Sequence, residues 1–175
     1  MSNFSDWQDR MLRAVWRHGE NIPEEVLAWM SELHGKSGEI PEMEFRELWT
    51  ARTFSMARTA FEVIRRSAEG ETGKKVTGEE FSYIDYLHDP ELGPVGTVRI
   101  KSAEVSTPDW GDVLGVMAEG VQEFIMSHYQ MVWPVCDHHG RGLHTDYFHE
   151  TAVWKCTAGI SDGHVVRAID PAVQL

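Results

Sequence analysis

Both cysteines of this 175-residue chain, and five of its nine histidines, fall between residues 136 and 164. That stretch reads Cys136-Asp-His138-His139-Gly-Arg-Gly-Leu-His144-Thr-Asp146-Tyr-Phe-His149, then Ala-Val-Trp-Lys-Cys156, then His164. Thiolates and imidazoles are the ligands of a tetrahedral zinc ion, and a two-residue spacer lets one tight knuckle present two of them. Cys136 and His139 have that spacing. Cys156 and His164 are the second pair, with a spacer too long for a knuckle, which makes His164 the weaker ligand. His138 and His144 are substitutes for a member of the set.

The same residues admit other readings. Cys136 and Cys156 can be small buried hydrophobes packed beside Trp133 and Trp154. They can also form a disulfide. A third reading takes His138, His139, His144, Asp146 and His149 as three ligands and a base, leaving one position for water, as in a metal-dependent hydrolase. The sequence places those residues in a Gly-flanked loop from His138 to His149.

The string Trp-Pro-x-Cys-x-x-His, followed by Ala-Val-Trp-x-Cys and then Gly-His-Val-Val, resembles the C-terminal module of small actinobacterial proteins of unassigned function. The resemblance covers roughly residues 131 to 170. It implies a zinc-ribbon-like module with Cys136, His139 and Cys156 as the matching positions. It also implies a high-GC Gram-positive bacterium, or a phage of one, as source. Asp137-His138 stands where those modules carry a Pro-acidic pair.

Other catalytic patterns are missing from the sequence. There is no phosphate-binding Gly-rich loop and no Gly-x-Ser-x-Gly elbow. Glu24-Glu25 and Glu79-Glu80 are adjacent in sequence, so on a helix they diverge and read as solvated faces.

The length fits one domain with a small appendage. The formal charge of -12 opposes binding to nucleic-acid phosphates and anionic lipid. The arginines between Arg52 and Arg66 read as a solvated helix face. No apolar run approaches the ~20 residues of a membrane span. The first twenty residues mix charges with apolar groups and show no secretory signal. Reduced thiols in a cytoplasmic protein are the resulting expectation. Seven tryptophans promise large aromatic contacts in a core or an interface.

Patterning gives the elements that position these residues. Ser5 to Gln8 forms a capping box ahead of a helix through Trp7, Met11, Ala14, Val15 and His18, ended by Gly19. Pro23 opens a second helix that Gly35 stops. Pro41 opens a third and longer one, with a break near Thr50 to Phe54, ended at Gly70 to Gly73. Phe81–Leu87 and Val95–Lys101 read as an antiparallel strand pair. Thr107 caps a long amphipathic helix whose core face is Trp110, Leu114, Met117, Val121, Phe124 and Ile125. Strand-like runs at 152–156 and 164–169, joined by the stretch from Gly159 to Gly163, make a C-terminal β-hairpin.

The expectation is an α+β fold. It has a helical N-terminal part, a small antiparallel sheet, one long helix and a zinc-ribbon-like hairpin. Residues 1–130 form the α+β domain and 131–175 a β-rich Cys/His module unable to fold alone without a staple. The expected role is a non-enzymatic protein-binding or assembly component with a structural zinc. Its partner is another protein or a further copy of itself, with neither nucleic acid nor membrane.

Overall fold

Helices at the N-terminal end bury aromatic side chains, and two small sheets pack against a longer helical pair. The computed structural model describes residues 3–16, 21–77, 81–89, 93–149, 151–158 and 163–172, with backbone alone for 81–89 and 93–97. The elements are α1 (Phe4–Val15), α2 (Glu24–Ser37), α3 (Glu42–Thr72), β1 (Phe81–Asp89), β2 (Gly93–Ile100), β3 (Ala103–Val105), α4 (Trp110–Tyr129), β4 (His144–Phe148), β5 (Thr151–Cys156) and β6 (His164–Ala168). Each sheet has three antiparallel strands, ordered β1-β2-β3 and β4-β5-β6. The architecture is α+β.

Two apolar clusters share α3. One joins Trp7, Met11, Val26, Met30, Phe45 and Trp49 from α1, α2 and the start of α3. Phe45 lies edge-on to Trp7 with ring centres 5.7 Å apart. Edge-to-face contacts of this kind add to the burial of the rings. The other cluster runs from Ala57, Phe61 and Ile64 of α3 across α4 and β2 to Trp133, Leu143, Trp154 and Cys156. Residues 131–175 therefore share one core with α3 and α4. Trp49 spans the chain between them: its indole N–H donates to the Ser106 carbonyl at 2.8 Å.

Several boundaries differ from the sequence expectation. Helix α1 begins behind Asn3, with no side-chain cap, because the Asp6 and Trp7 amides donate to the Asn3 carbonyl. Ser5 thus lies inside the first turn, and the capping box does not form. His18 and Gly19 lie outside the described residues. Helix α2 runs past Gly35 to Ser37 and stops at Gly38, whose φ of 70° suits glycine. No break interrupts α3; Thr53 is buried and folds its hydroxyl onto the Trp49 carbonyl at 3.0 Å, which satisfies it within the helix. Gly73, at φ 67°, ends it.

Asp109, and not Thr107, caps α4: its carboxylate accepts the Asp112 amide at 2.8 Å. Thr107 donates instead to the Asp112 carboxylate. Leu114, Met117, Val121, Phe124 and Ile125 are buried as expected, but Trp110 is half-buried at the edge of the core. Its amide donates to Glu25 of α2, which holds it at the seam between helices. The C-terminal hairpin proves to be a sheet, because β4 pairs with β5 from His144↔Lys155 to Phe148↔Thr151.

Helix α4 approaches β2 closely at Gly120. A Cβ added to Gly120 would meet Ile100 of β2 at 2.3 Å. Gly120→Ala is expected to lower stability by about 1–3 kcal/mol through overpacking. Gly70→Ala, where a Cβ meets nothing within 4 Å, is expected to raise it by about 0.5–1 kcal/mol through helix propensity. Urea denaturation of the two variants checks both signs.

Candidate metal centre

Cys136 opens a tight turn. The Gly140 amide donates back to the Cys136 carbonyl at 2.8 Å, and the Cys136 amide donates to the Arg141 carbonyl at 2.8 Å. Gly140, at φ 61°, makes the reversal, and an isolated bridge between Val135 and Gly142 closes the loop. This knuckle brings His139 over Cys136. Burial pushes the Cys136 thiol up, but the backbone amides of His139 and His138 and the Cys156 thiol outweigh it, and the net shift is down. Amides aimed at a sulfur favour its thiolate form.

The other two candidate donors come from strand pairing. Cys156 ends β5, His164 begins β6, and the two are direct partners in the antiparallel register. Facing residues have Cβ atoms about 4.5–5.5 Å apart, so a strand pair presents two side chains to one point as a knuckle does. The long spacer that weakened His164 as a ligand is thereby removed from the geometry. Gly163 permits the approach: its φ is 79°, and an added Cβ would lie 2.3 Å from the Cys156 carbonyl oxygen.

Donor atoms of Cys136, His139, Cys156 and His164 all lie within 4.8 Å of one another, close enough to share a metal ion. The Cys136 sulfur is 3.6 Å from His139 Nδ1 and 3.7 Å from His164 Nε2. The Cys156 sulfur is 3.4 Å from His139 Nδ1. Metal–sulfur and metal–nitrogen bonds of about 2.3 and 2.05 Å at tetrahedral angles give a sulfur–nitrogen edge of about 3.6 Å. Hydrogen bonding alone accounts less well for the pattern, because a single Nδ1 carries one lone pair or one proton and here faces two sulfurs. Both cysteines are free and fully buried, so neither is in a disulfide. His164 is half-buried and His139 is exposed.

The remaining histidines do not converge. Among the described residues this is the one group of three or more His, Cys, Asp or Glu donors near enough to hold an ion. His144 and Asp146 sit on β4, and the Asp146 carboxylate is taken by Lys155 at 2.6 Å, which holds it below the usual range. His149 is exposed against Phe148. His138 is exposed, its ring centre 6.4 Å from that of His164. The hydrolase set thus loses His139 to the cysteine cluster and does not form a centre of its own.

Residues outside the ligand set hold the module to the helices. Gln122 of α4 donates to the Leu143 carbonyl at 2.7 Å. Arg167 of β6 places one guanidinium nitrogen 2.7 and 2.8 Å from the two Glu71 oxygens, and Trp133 donates to the same carboxylate. Sequence reasoning missed these ties, since nothing in the local pattern links residue 71 to residue 167. The hairpin expected from the runs at 152–156 and 164–169 does place Cys156 opposite His164; the sequence showed only the long spacer between them, not that direct register cancels it.

Comparison with family models, with curated proteins and with solved structures finds no match to this chain. Among the described residues, no helix is long and apolar enough to cross a membrane.

Two predictions follow from these contacts. Gly163→Ala is expected to weaken metal binding at least tenfold by forcing β6 away from Cys156, as read by titration of the apo-protein with zinc. Burial pulls the Glu71 carboxyl up, but the hydrogen bond and charge of Arg167, with Ser67 and Trp133, hold it below the ordinary value. A depressed folded value gives stability that is present above the unfolded glutamate pKa, about 4.3, and is lost as pH falls through the folded one. The melting-temperature gap between wild type and Glu71→Gln should therefore be largest near neutral pH and should close in acid.

Proposed function

We propose that the protein holds one structural zinc ion on Cys136, His139, Cys156 and His164, and that it works in the cytoplasm as a non-enzymatic protein-binding or assembly component. The observation that carries the zinc reading is the convergence of two thiols and two imidazoles within 4.8 Å of one another, with three sulfur–nitrogen distances of 3.4–3.7 Å, close to a tetrahedral edge. Soft sulfur with imidazole suits zinc, and four protein ligands leave no position for a reactive water. A zinc-ribbon-like staple also explains how a short β-rich segment keeps its shape.

Binding through this module is supported by what it exposes. Of the seven large hydrophobic residues exposed among those described, Val132, Val135, Tyr147, Phe148 and Val166 lie in residues 131–175. Exposed apolar side chains concentrated in this segment suit contact with a protein more than contact with a polyanion. The net charge of -12 points the same way.

Elemental analysis of untagged protein should find about one zinc per chain. Chelation should lower the melting temperature, because metal bound only by the folded state stabilises it by about 4 kcal/mol at a thousandfold excess over Kd. Cys136→Ser should lose the zinc and melt at the chelated temperature. Metal-free wild type with an unchanged melt after chelation would remove the staple. Sedimentation of the zinc form across a concentration series then separates the two roles. A self-associated species weakened by Val166→Ser supports assembly, and a monomer throughout assigns the surface to a different protein.

A further inference from the structure

We propose that the metal site is also a redox switch, in which a hydroperoxide oxidises Cys136 and Cys156 to a disulfide and expels the metal. The inference rests on the zinc reading above and adds a regulation to it. Three observations carry it. The chain has two cysteines, and both serve the same cluster, so each thiol has one intramolecular partner. Their sulfurs lie within 4.8 Å of each other, so modest side-chain rotation brings them to the ~2.05 Å of a disulfide. The ligands also differ in access. Both sulfurs are buried, while His139, which faces both of them, is exposed, as are its neighbours His138 and Gly140.

His139 is thus both ligand and cover. When its Nδ1 leaves the metal, solvent reaches the two sulfurs from the knuckle side. Bound zinc keeps both as thiolates, the nucleophilic form. One thiolate attacks an oxygen of the hydroperoxide; an S–O bond forms, the O–O bond breaks, and the departing oxygen takes a proton and leaves as alcohol. The second thiolate attacks that sulfur; the S–S bond forms, the S–O bond breaks, and hydroxide takes a second proton and leaves as water. Two electrons pass from the sulfurs to the peroxide. Zinc keeps its charge, loses both thiolate ligands, and dissociates. The disulfide still ties the knuckle to the end of β5, while His164 and the start of β6 are released. Glu71 and Arg167 continue to hold the far end of β6.

The test uses the full-length zinc protein and hydrogen peroxide, with a chromogenic zinc indicator, a thiol count and intact mass. The expected result is one zinc released for every two thiols lost, with a mass lower by two hydrogens. Dithiothreitol plus zinc should restore the starting form. Zinc retained under excess peroxide, or released with added oxygens on sulfur and no disulfide, overturns the switch and leaves the zinc reading standing. Protein that carries no zinc as purified, with an unchanged melt after chelation, overturns both.

Discussion

Pairing of Cys156 with His164 across β5 and β6 is the constraint on which the rest of the site depends. A knuckle supplies two ligands from neighbouring positions at little entropic cost. The other two are eight residues apart, and only strand register brings them to one point. The register needs Gly163, because any side chain there would enter the Cys156 carbonyl. It also needs a sheet that does not slip, since a one-residue shift would turn every side chain to the opposite face.

Large apolar groups on the buried face of that sheet fix its register. Trp154 of β5 meets Trp133 edge-on with ring centres 5.4 Å apart, and both belong to the cluster that includes α3 and α4. Leu143 and Cys136 join the same cluster. The metal site is therefore an extension of the main core toward solvent, with sulfurs on the inside and His139 on the outside. Glu71 and Arg167 pin the sheet to the end of α3, and Gln122 pins it to α4. The donor cluster lies at the surface end of the sheet, and tryptophan packing and an ion pair hold the sheet against the helices.

Much of this was legible in the sequence, for identifiable reasons. Helix α4 has an apolar stripe wide enough to fix its phase, and five of six expected core residues are buried; Trp110 fails because its amide is drawn to Glu25 at a helix seam. That Cys136, His139, Cys156 and His164 come together was legible because both cysteines and five of the nine histidines crowd into 29 residues. Strand β4 was not, because His-Thr-Asp-Tyr-Phe has no apolar alternation and its order comes from pairing with β5. Nor was β3, whose three residues carry too short a pattern. Helix ends were misread where the nearest plausible cap was not the one that tertiary packing selects, as at Ser5, Gly35 and Thr107.

X-ray absorption at the zinc edge of the purified protein tests the central claim most directly. The account predicts a four-coordinate site with two sulfurs near ~2.3 Å and two imidazole nitrogens near ~2.0 Å, and no water oxygen. A shell without sulfur, or one with an exchangeable oxygen in place of an imidazole, would contradict it.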